Sequence, residues 1–509
     1  MTNQENNSTK YSSQALLMIA LSVVVTPVLL LFLSIDSPFY DIWGRVDSSW
    51  FFTAGKAWFE GMVPYVDFSD SKGPLLWFIY GIGYLISNND FVGVWILTCI
   101  NYLVVIWFIY GIVRLFIDSR WLAFLVSLLM LWIYFNPNIH YETKAEDFCQ
   151  PFIAMSMWAT CRILFCKSKA IDKLVPMIHQ GAWIIGLSIG ATLMIKFTIA
   201  MMICFFAIML CYFAHHTKSI KVLDLIWRIC CGFILICLPF LVYFAICGNL
   251  DDFIKEYFVL TTKISSHRPR LNVIGWVING GFLSGLIIIL SLCTLSVFFY
   301  AKKYAWMPIV AFFWFLLITV QNAEWIHYYY SCLIFGVFGL IAISLLVTKF
   351  LSNNFLTIAL VISALCGFGY ASFSHASNLA NFKLVEHNND PLTEMGIEYY
   401  HHVAVVKRVS QPHIVFLNYN NKINVADATG GLPGCKYWAK QYGAETMQEE
   451  QYIQIKKKKP HFIYIKKGDF KSIERVKSLG YFCLIQPGKY YKAFLYASPQ
   501  LKALYRKNN

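Results

Sequence analysis

Apolar runs recur through the first 373 of the 509 residues, with hardly a charge inside them. A run of about 20 apolar residues is long enough to cross the hydrocarbon core of a bilayer as a helix. Of all residues, 58% are hydrophobic and only 14% are charged, and the abundant Phe, Tyr and Trp are typical of chains with rings at lipid interfaces. The sequence therefore predicts a polytopic helical membrane protein rather than one globular core. The first run lacks a clear small-residue cleavage site, which indicates a retained anchor.

The predicted architecture is an all-α transmembrane bundle over residues 1–373, followed by a soluble α/β domain over residues 374–509. The apolar segments predict about eleven spans: Ala15–Ile35, Phe91–Ile117, Trp121–Phe135, Phe148–Phe165, Gly181–Ile195, Thr198–Phe213, Leu225–Cys247, Val273–Tyr300, Trp306–Val320, Tyr328–Val347 and Phe355–Phe373.

Two segments decide the topology. Pro74–Ser87 has about 14 apolar residues, a length typical of an interfacial or re-entrant helix, and is predicted to lie flat on the outer surface. Gly181–Phe213 is apolar for more than thirty residues apart from Lys196, and both of its flanks are basic. Because basic loops face the cytoplasm, this segment should leave and return as a two-span hairpin, with Lys196 snorkelling to the far surface.

This topology separates basic connectors from acidic loops. The N-terminus and the connectors fall on the cytoplasmic side: Arg114–Arg120, Lys167–Lys173, Lys218–Lys221, Lys302–Lys303 and Lys349. Four loops face outward: Asp36–Asp90 with interfacial helices, Asn136–Asp147, Gly248–Asn272 and Gln321–His327. An odd number of spans exports the tail as well. The predicted location is a bacterial cytoplasmic (inner) membrane, with the acidic loops facing the periplasm or exterior.

The tail alternates strand and helix patterns, which favours a small α/β layer structure. The predicted strands are His413–Tyr419, Pro460–Ile465, Tyr481–Ile485 and Tyr490–Tyr496, and the predicted helices are Glu394–Arg408, Lys436–Ile455 and Phe470–Leu479. Cys435 and Cys483 can pair or stay free thiols. The loop Ala428–Gly434 lacks the Lys and Ser/Thr of a P-loop and is interpreted as a plain turn.

The tail is also basic. It holds 20 Lys and Arg against 10 Asp and Glu, and so contributes +10 of the net charge of +14. Such a surface predicts contact with membrane lipids through anionic headgroups or lipid phosphates, with a plain solvated face as the alternative. Nucleic acid is not an expected partner, since no recognised binding motif accompanies the charge.

Asp47 precedes a run, Ser48–Trp58, that is predicted to form an amphipathic helix. Two roles are open to its carboxylate. As an N-cap it would accept hydrogen bonds from the first backbone N–H groups of the helix, and position alone favours this role. As a general base it would take a proton from an attacking nucleophile.

A second acidic group, Glu146-Asp147, opens the fourth predicted span. Carboxylates at a helix N-terminus are stabilised by the helix dipole, so capping is one role. Glu142 and Lys144 lie within the same six residues at a membrane edge, and ionisable clusters there mark functional sites. Both interpretations remain open.

Several outer-loop side chains are suited to an anionic ligand. Lys72, before Gly73-Pro74, can reach a phosphate as a point charge, although it can equally be an ordinary interfacial lysine. Arg268 and Arg270 flank Pro269 in a loop that could hold a phosphate or simply be solvated. His327-Tyr328 opens a late span. An aromatic belt explains the tyrosine, whereas His327 adds a hydrogen-bond donor or metal ligand.

In order and spacing, these motifs resemble the GT-C superfamily of polyprenyl-phosphate-dependent membrane glycosyltransferases, close to bacterial protein O-mannosyltransferases and aminoarabinose transferases. The points of resemblance follow in chain order: Asp47 before an amphipathic helix, the Gly61–Tyr65 turn leading to Asp67 and Lys72-Gly73-Pro74, Glu146-Asp147, and a His-Tyr-Tyr element opening a late span. The resemblance covers roughly the first 350 residues.

The resemblance implies that Asp47 is a catalytic base with Asp147 or Glu146 as its partner. It implies donor-phosphate or substrate contacts at Lys72, Arg268, Arg270, Tyr65, Asp67, His327 and Tyr328. The implied donor is a sugar on an undecaprenyl-type phosphate, and the implied acceptor is a lipid-linked glycan, a lipid A-like lipid or a protein. Ser71 stands where some relatives have Glu, and Gly73 separates the lysine from the proline. No cofactor is therefore predicted with certainty, and a divalent metal is not indicated.

Two other functions fit a polytopic bundle with charged loops. A lipid or glycan transporter would carry charges along the bundle interior, often on broken helices, whereas most charges here lie at span ends. A glycan polymerase or ligase of another fold would also use outer-loop arginines and acids. Asp47 before an amphipathic helix favours the glycosyltransferase.

Overall fold

The computed structural model describes residues 2–39, 47–88, 90–135, 142–166, 171–262, 304, 306–322, 326–350, 391–409, 415–419, 425–438, 445–458, 460–489 and 491–508. The N-terminal part is helical: α1 Thr2–Leu33, α2 Asp47–Phe59, α3 Pro74–Ile86, α4 Val92–Val113, α5 Arg120–Tyr134, α6 Ala145–Leu164, α7 Ile171–Ile195, α8 Phe197–Thr217, α9 Val222–Ile246, α10 Leu250–Phe253 with a π-helix at Ile254–Leu260, α11 Met307–Asn322, a 3-10 helix at Ile326–Phe335, and α12 Gly336–Phe350. The predicted spans Val273–Tyr300 and Phe355–Phe373 lie outside the described residues.

Six helices in the described part of the chain are long and apolar enough to cross a membrane: Ser13–Leu33, Val92–Val113, Lys173–Ile195, Phe197–Thr217, Val222–Ile246 and Tyr328–Lys349. Three shorter apolar helices, Pro74–Ile86, Arg120–Leu131 and Met307–Thr319, accompany them. The chain is therefore a multi-pass helical membrane protein, and the count of eleven spans stays a prediction.

The predicted break in the long apolar segment is present at Lys196. Its backbone is extended, with φ −153° and ψ 103°, between the last residue of α7 and the first of α8. The ammonium group of a lysine is costly to bury in a continuous apolar helix, so the single charge coincides with the turn.

Helices α2, α3 and α4 pack through glycines. A Cβ on Gly55 would lie 2.5 Å from the backbone N of Gly81, and one on Gly93 would lie 1.9 Å from the carbonyl oxygen of Gly83. These contacts require bare backbone, and they explain the glycines that weaken α3 as a helix. With 13 residues, α3 is shorter than the ~20 that a span needs.

The acidic loops meet at one end of the bundle, called the acidic end below. Four contacts define it: Thr143 N donates to Asp36 Oδ2 (2.6 Å), Ser48 Oγ donates to Glu142 Oε2 (3.1 Å), Lys196 pairs with Glu146, and Asn249 Nδ2 donates to the carbonyl of Pro64 (2.9 Å). The ends of α1 and α7 thus lie beside the starts of α2, α6 and α8, and the end of α9 lies beside the loop between α2 and α3. Because α8 runs away from this end, the basic connector Lys218–Lys221 that follows it lies at the other end.

Residues 391–508 contain a five-stranded mixed sheet in the order β2-β1-β3-β5-β4. The strands are β1 Val415–Tyr419, β2 Leu432–Pro433, β3 Phe462–Lys466, β4 Phe482–Ile485 and β5 Ala493–Ala497. Strand β1 pairs in parallel with β2 and β3, and β5 pairs antiparallel with β3 and β4. The helices are α13 Pro391–Val409, α14 Ala426–Thr429, α15 Glu445–Lys458, α16 Phe470–Ser478 and α17 Lys502–Asn508.

One expectation for the tail needs adjusting, and one alternative that the sequence left open is decided. The predicted helix Lys436–Ile455 is described over Glu445–Lys458, whereas Lys436 and Tyr437 lie in a turn and their side chains contact Asp252 and Glu256. Cys435 is buried and Cys483 is half-buried, and the two do not form a disulfide with each other.

Candidate functional site

Asp47 lies in the first turn of α2 and has helical conformation itself, so it is not the N-cap. Its side chain is half-buried, and within the described part of the chain its carboxylate makes no hydrogen bond or ion pair. The helix dipole still favours a negative charge at this position. The carboxylate thus remains available to accept a proton.

Lys72 lies beside Asp47. Its Nζ is 3.2 Å from Ser71 Oγ and 5.8 Å from the ring centroid of Phe51, which follows Asp47 by one helical turn. Burial lowers the pKa of Lys72, but the surrounding groups outweigh burial and raise it above its ordinary value; they are Asp70, Tyr328, Asp47 and Glu146. Lys72 is therefore a fixed cation beside several acids.

The loop before Lys72 is held from beneath by Tyr65. The hydroxyl of Tyr65 donates to the carbonyl of Lys72 (2.9 Å), and its ring is 0% exposed among Trp77 and Phe253. Tyr65 has a positive φ of 67°, so the chain reverses at this residue. Asp67 accepts a hydrogen bond from Val63 N (2.9 Å) and closes the same turn. Both predicted substrate contacts thus support the loop that carries Lys72.

Gly73 fixes the other side of this loop. Its N–H donates to the carbonyl of Ile195 (3.0 Å), and a Cβ at this position would lie 2.1 Å from the carbonyl oxygen of Met194. Only glycine fits against the end of α7. The glycine between Lys72 and Pro74 is thus explained by a close backbone contact with the end of α7, directly before Lys196.

Lys196 belongs to the site. It pairs with Glu146, its Nζ lies 3.9 Å from the ring centroid of Tyr328, and its side chain is only 14% exposed. It lies at the end of the hairpin where it was expected, but it turns to a carboxylate and an aromatic ring rather than to water. A cation that is shielded from water needs such partners.

The carboxylate of Asp147 is fully engaged. Its Oδ2 accepts the backbone N–H of Lys144 (2.7 Å) in a capping box, and its Oδ1 accepts the hydroxyl of Tyr102 (2.6 Å). Tyr102 in turn lies 2.5 Å from the hydroxyl of Tyr330, and Asp147 is 0% exposed. Of the two predicted partners for Asp47, Asp147 caps α6 whereas Glu146 faces Lys196.

Glu142 holds the start of α2. Its Oε2 accepts hydrogen bonds from the N–H (3.3 Å) and hydroxyl (3.1 Å) of Ser48, and its Oε1 lies 3.5 Å from Lys144 Nζ. Glu142 stood in the acidic cluster of the sequence, but nothing there indicated that it would contact the residue after Asp47.

Some predicted residues are placed only in part. Arg268 and Arg270 lie outside the described residues, as does the side chain of His327, whose backbone is in the 3-10 helix. Tyr328 is half-buried under Lys196. Within the described ranges, no group of three or more His, Cys, Asp or Glu side chains is arranged to hold a metal ion.

The arrangement suits a reaction with an anionic leaving group. Lys72 offers a positive charge that nearby acids keep protonated, while Asp47 offers a carboxylate without a competing hydrogen bond in the described structure. A cation stabilises negative charge as it develops, and a neighbouring carboxylate can take a proton.

Searches of protein-family models and of curated proteins found no match. Among solved structures, ArnT from Cupriavidus metallidurans in the apo state superposes with a TM-score of 0.60 at 11% identity, covering 97% of this chain and 99% of ArnT. ArnT bound to undecaprenyl phosphate gives a TM-score of 0.59 at 11% identity, covering 96% and 99%. The chain therefore has the fold of ArnT over nearly its whole length, and the fold implied by the resemblance to aminoarabinose transferases is confirmed.

Proposed function

We propose that this protein is an integral-membrane glycosyltransferase of the GT-C type. It moves one sugar from a polyprenyl-phosphate donor to an acceptor on the outer face of a bacterial cytoplasmic membrane, the acceptor being a lipid-linked glycan, a lipid A-like lipid or a protein. The fold is shared with ArnT, of which one structure holds undecaprenyl phosphate. The single observation that carries the proposal is the Asp47 carboxylate, which has no partner among the described residues, beside the cationic Lys72.

The proposed reaction is a direct displacement with inversion. The acceptor hydroxyl attacks the anomeric carbon of the donor sugar, and its oxygen forms the new glycosidic bond as the bond from carbon to the phosphate oxygen breaks. Asp47 takes the hydroxyl proton. The electron pair leaves with the polyprenyl phosphate, whose negative charge Lys72 stabilises.

The neighbouring groups fix this geometry. Glu146 and Tyr328 hold Lys196 at the edge of the site, and Tyr65 and Gly73 hold the backbone on either side of Lys72. Rigid support matters because a displacement of about 1 Å in a reacting group can cost about 100-fold in rate.

The test is Asp47→Asn in purified full-length protein, assayed in proteoliposomes with radiolabelled polyprenyl-phosphate sugars and candidate acceptors. Loss of a general base lowers a rate by about 10²–10⁴-fold, and that fall is expected here. Asp251→Asn is the matched control, since Asp251 is an exposed acid after α9. Unchanged transfer by a folded Asp47→Asn protein would remove Asp47 from the mechanism. Movement of lipid across the bilayer without sugar transfer would favour the transporter instead.

A further inference from the structure

Residues 426–438, called the C-terminal strap below, lie across the outer surface of α2. The hydroxyl of Ser49 donates to Asp427 Oδ2 at 2.6 Å, and both residues are buried, with 0% and 6% exposure. The rings of Trp50 and Trp438 meet edge to face at 4.4 Å. The strap is therefore bound to the first turn of the helix that carries Asp47.

Asp427 is itself held in place. Its Oδ1 accepts hydrogen bonds from the N–H of Ala428 (2.8 Å) and the hydroxyl of Tyr399 (3.3 Å). Each carboxylate oxygen therefore has a defined partner. A buried, hydrogen-bonded carboxylate transmits position well, because its neighbours leave it one orientation.

A second attachment lies at the far end of the strap. The N–H of Ser69 donates to the carbonyl of Lys436 (2.8 Å), and the hydroxyl of Ser69 donates to Glu256 Oε2 (3.1 Å). Glu256 Oε1 accepts the hydroxyl of Tyr437 (2.8 Å) and lies 3.0 Å from Lys436 Nζ. Ser69 precedes Lys72 by three residues, so this attachment bears on the loop of the phosphate-binding lysine.

The charges at the second attachment reinforce it. Burial lowers the pKa of Lys436, but Glu256 and Asp252 outweigh burial and raise it above its ordinary value. Glu256 is only 7% exposed. Removal of Lys436 would leave the buried Glu256 carboxylate without this ion pair, and removal of Glu256 would leave Lys436 paired, among the described residues, with Asp252 alone. Loss of one member of a buried ion pair is destabilising.

We infer that the C-terminal strap positions the two halves of the site separately, Asp427 acting on Asp47 through Ser49, and Lys436 with Glu256 acting on Lys72 through Ser69. This inference rests on the proposed function for its kinetic consequences only. Asp427, Lys436 and Glu256 are positioning residues.

The two attachments have different kinetic signatures. Misplacement of the base affects the chemical step, so Asp427→Ala is expected to lower kcat about tenfold with the donor KM within about twofold. Misplacement of the phosphate ligand affects donor binding, so Glu256→Gln is expected to raise the donor KM about tenfold with kcat within about twofold. Asp427→Asn keeps an acceptor oxygen for Ser49 and should restore most of kcat. A substitution that only reduced the amount of folded protein would not change kcat in one variant and the donor KM in the other.

The experiment combines these kinetics with hydrogen-exchange mass spectrometry on the full-length protein in nanodiscs. Asp427→Ala should speed exchange over 47–53 and leave 92–113 unchanged, and Ser69→Ala, which removes one hydroxyl, should speed exchange over 66–73. Glu474→Ala, at an exposed acid on α16, is the matched control.

Unaltered exchange at both segments, 47–53 and 66–73, would overturn the inference whether or not the protein transfers sugar. Altered exchange with unchanged kinetic constants would overturn it as well. A wild-type protein inactive with every polyprenyl-phosphate sugar would instead refute the proposed function, while the exchange data still decide the strap.

Discussion

The starts of α2 and α6 look alike in sequence but differ in structure. Both carry an acid in the first turn, and both lie at the acidic end. Asp147 is 0% exposed and receives hydrogen bonds on both oxygens, whereas Asp47 is half-buried and receives none from the described residues. A carboxylate whose oxygens are all engaged is committed to the fold, and one without such partners is available for chemistry.

The environment of the cations follows the same division. Lys144 is 5% exposed and pairs with Glu142 beside the capping box, whereas the acceptor of Lys72 among the described residues is the neutral hydroxyl of Ser71. Acids near Lys72 raise its pKa without forming an ion pair with it in the described structure. The charged side chains at the start of α6 are thus bonded to one another, whereas Asp47 and Lys72 beside α2 can still bind a ligand.

The largest effect that would sharpen this contrast is expected at Lys72. Lys72→Met keeps a long apolar side chain but removes the charge, and loss of a preorganised cation should lower donor kcat/KM by about 10²–10³-fold. Initial rates of sugar transfer, measured over a range of radiolabelled donor concentrations, give kcat/KM. Lys255→Met, at an exposed lysine in the π-helix, is the control. A comparable loss in both variants would point to general surface charge rather than to the site.

The next largest effect is expected at Asp147, on stability rather than activity. Asp147→Asn places an amide where Lys144 N–H and Tyr102 both need an acceptor, which should lower the free energy of unfolding by about 3 kcal/mol. Transfer per folded molecule should stay within about threefold of wild type. Thermal unfolding in detergent measures the stability of the variant, and an assay of the folded fraction measures its transfer activity. If Asp147→Asn kept full stability but abolished transfer, Asp147 rather than Asp47 would be the acid that acts in the reaction.

A smaller effect tests whether engaged polar groups act on stability elsewhere in the chain. His402 is 2% exposed with its Nδ1 3.0 Å from the hydroxyl of Tyr464. Burial, aided by His401 and opposed by Glu398, lowers the pKa of His402 to about 4. Because the folded pKa lies below the unfolded value of about 6.5, stability is full above pH 6.5 and falls as pH drops towards 4, by about 2 kcal/mol between pH 7 and pH 5.

This dependence can be followed by thermal unfolding of the full chain across that range, with His402→Gln as the comparison. The variant should be less stable at pH 7 but should lose less stability on acidification. An identical acid response in both proteins would show that His402 does not titrate as its burial requires.

The sequence predicted much of this arrangement because the relevant signals are local. Apolar length located the helices, and the lone charge of Lys196 located the turn between α7 and α8. The acids of the outward loops were expected on one face of the bundle, and those that the structure describes there lie at the acidic end. Residue order could not distinguish Asp47 from Asp147, because hydrogen-bond saturation depends on Tyr102 and other partners far along the chain.

The remaining features depend on distant contacts. The role of Gly73 comes from the backbone of α7, and the support given by Tyr65 comes from a ring buried under α3. The loop Ala428–Gly434 was expected to be a plain turn, yet it carries β2 and contacts α2, as Lys56 Nζ donates to the carbonyl of Gly430 at 2.6 Å. No periodicity in the sequence signals a contact between segments so far apart.

The strap also sets the order in which the protein is completed during synthesis. Asp47 and Lys72 emerge from the ribosome early, whereas Asp427 and Lys436 emerge long after the helices of the bundle. The strap is further joined to the sheet, since β2 pairs with β1. A nascent chain therefore carries Asp47 and Lys72 without the contacts of the strap until the tail has folded, so the proposed transfer activity should reach its full rate only once that last domain has closed over α2.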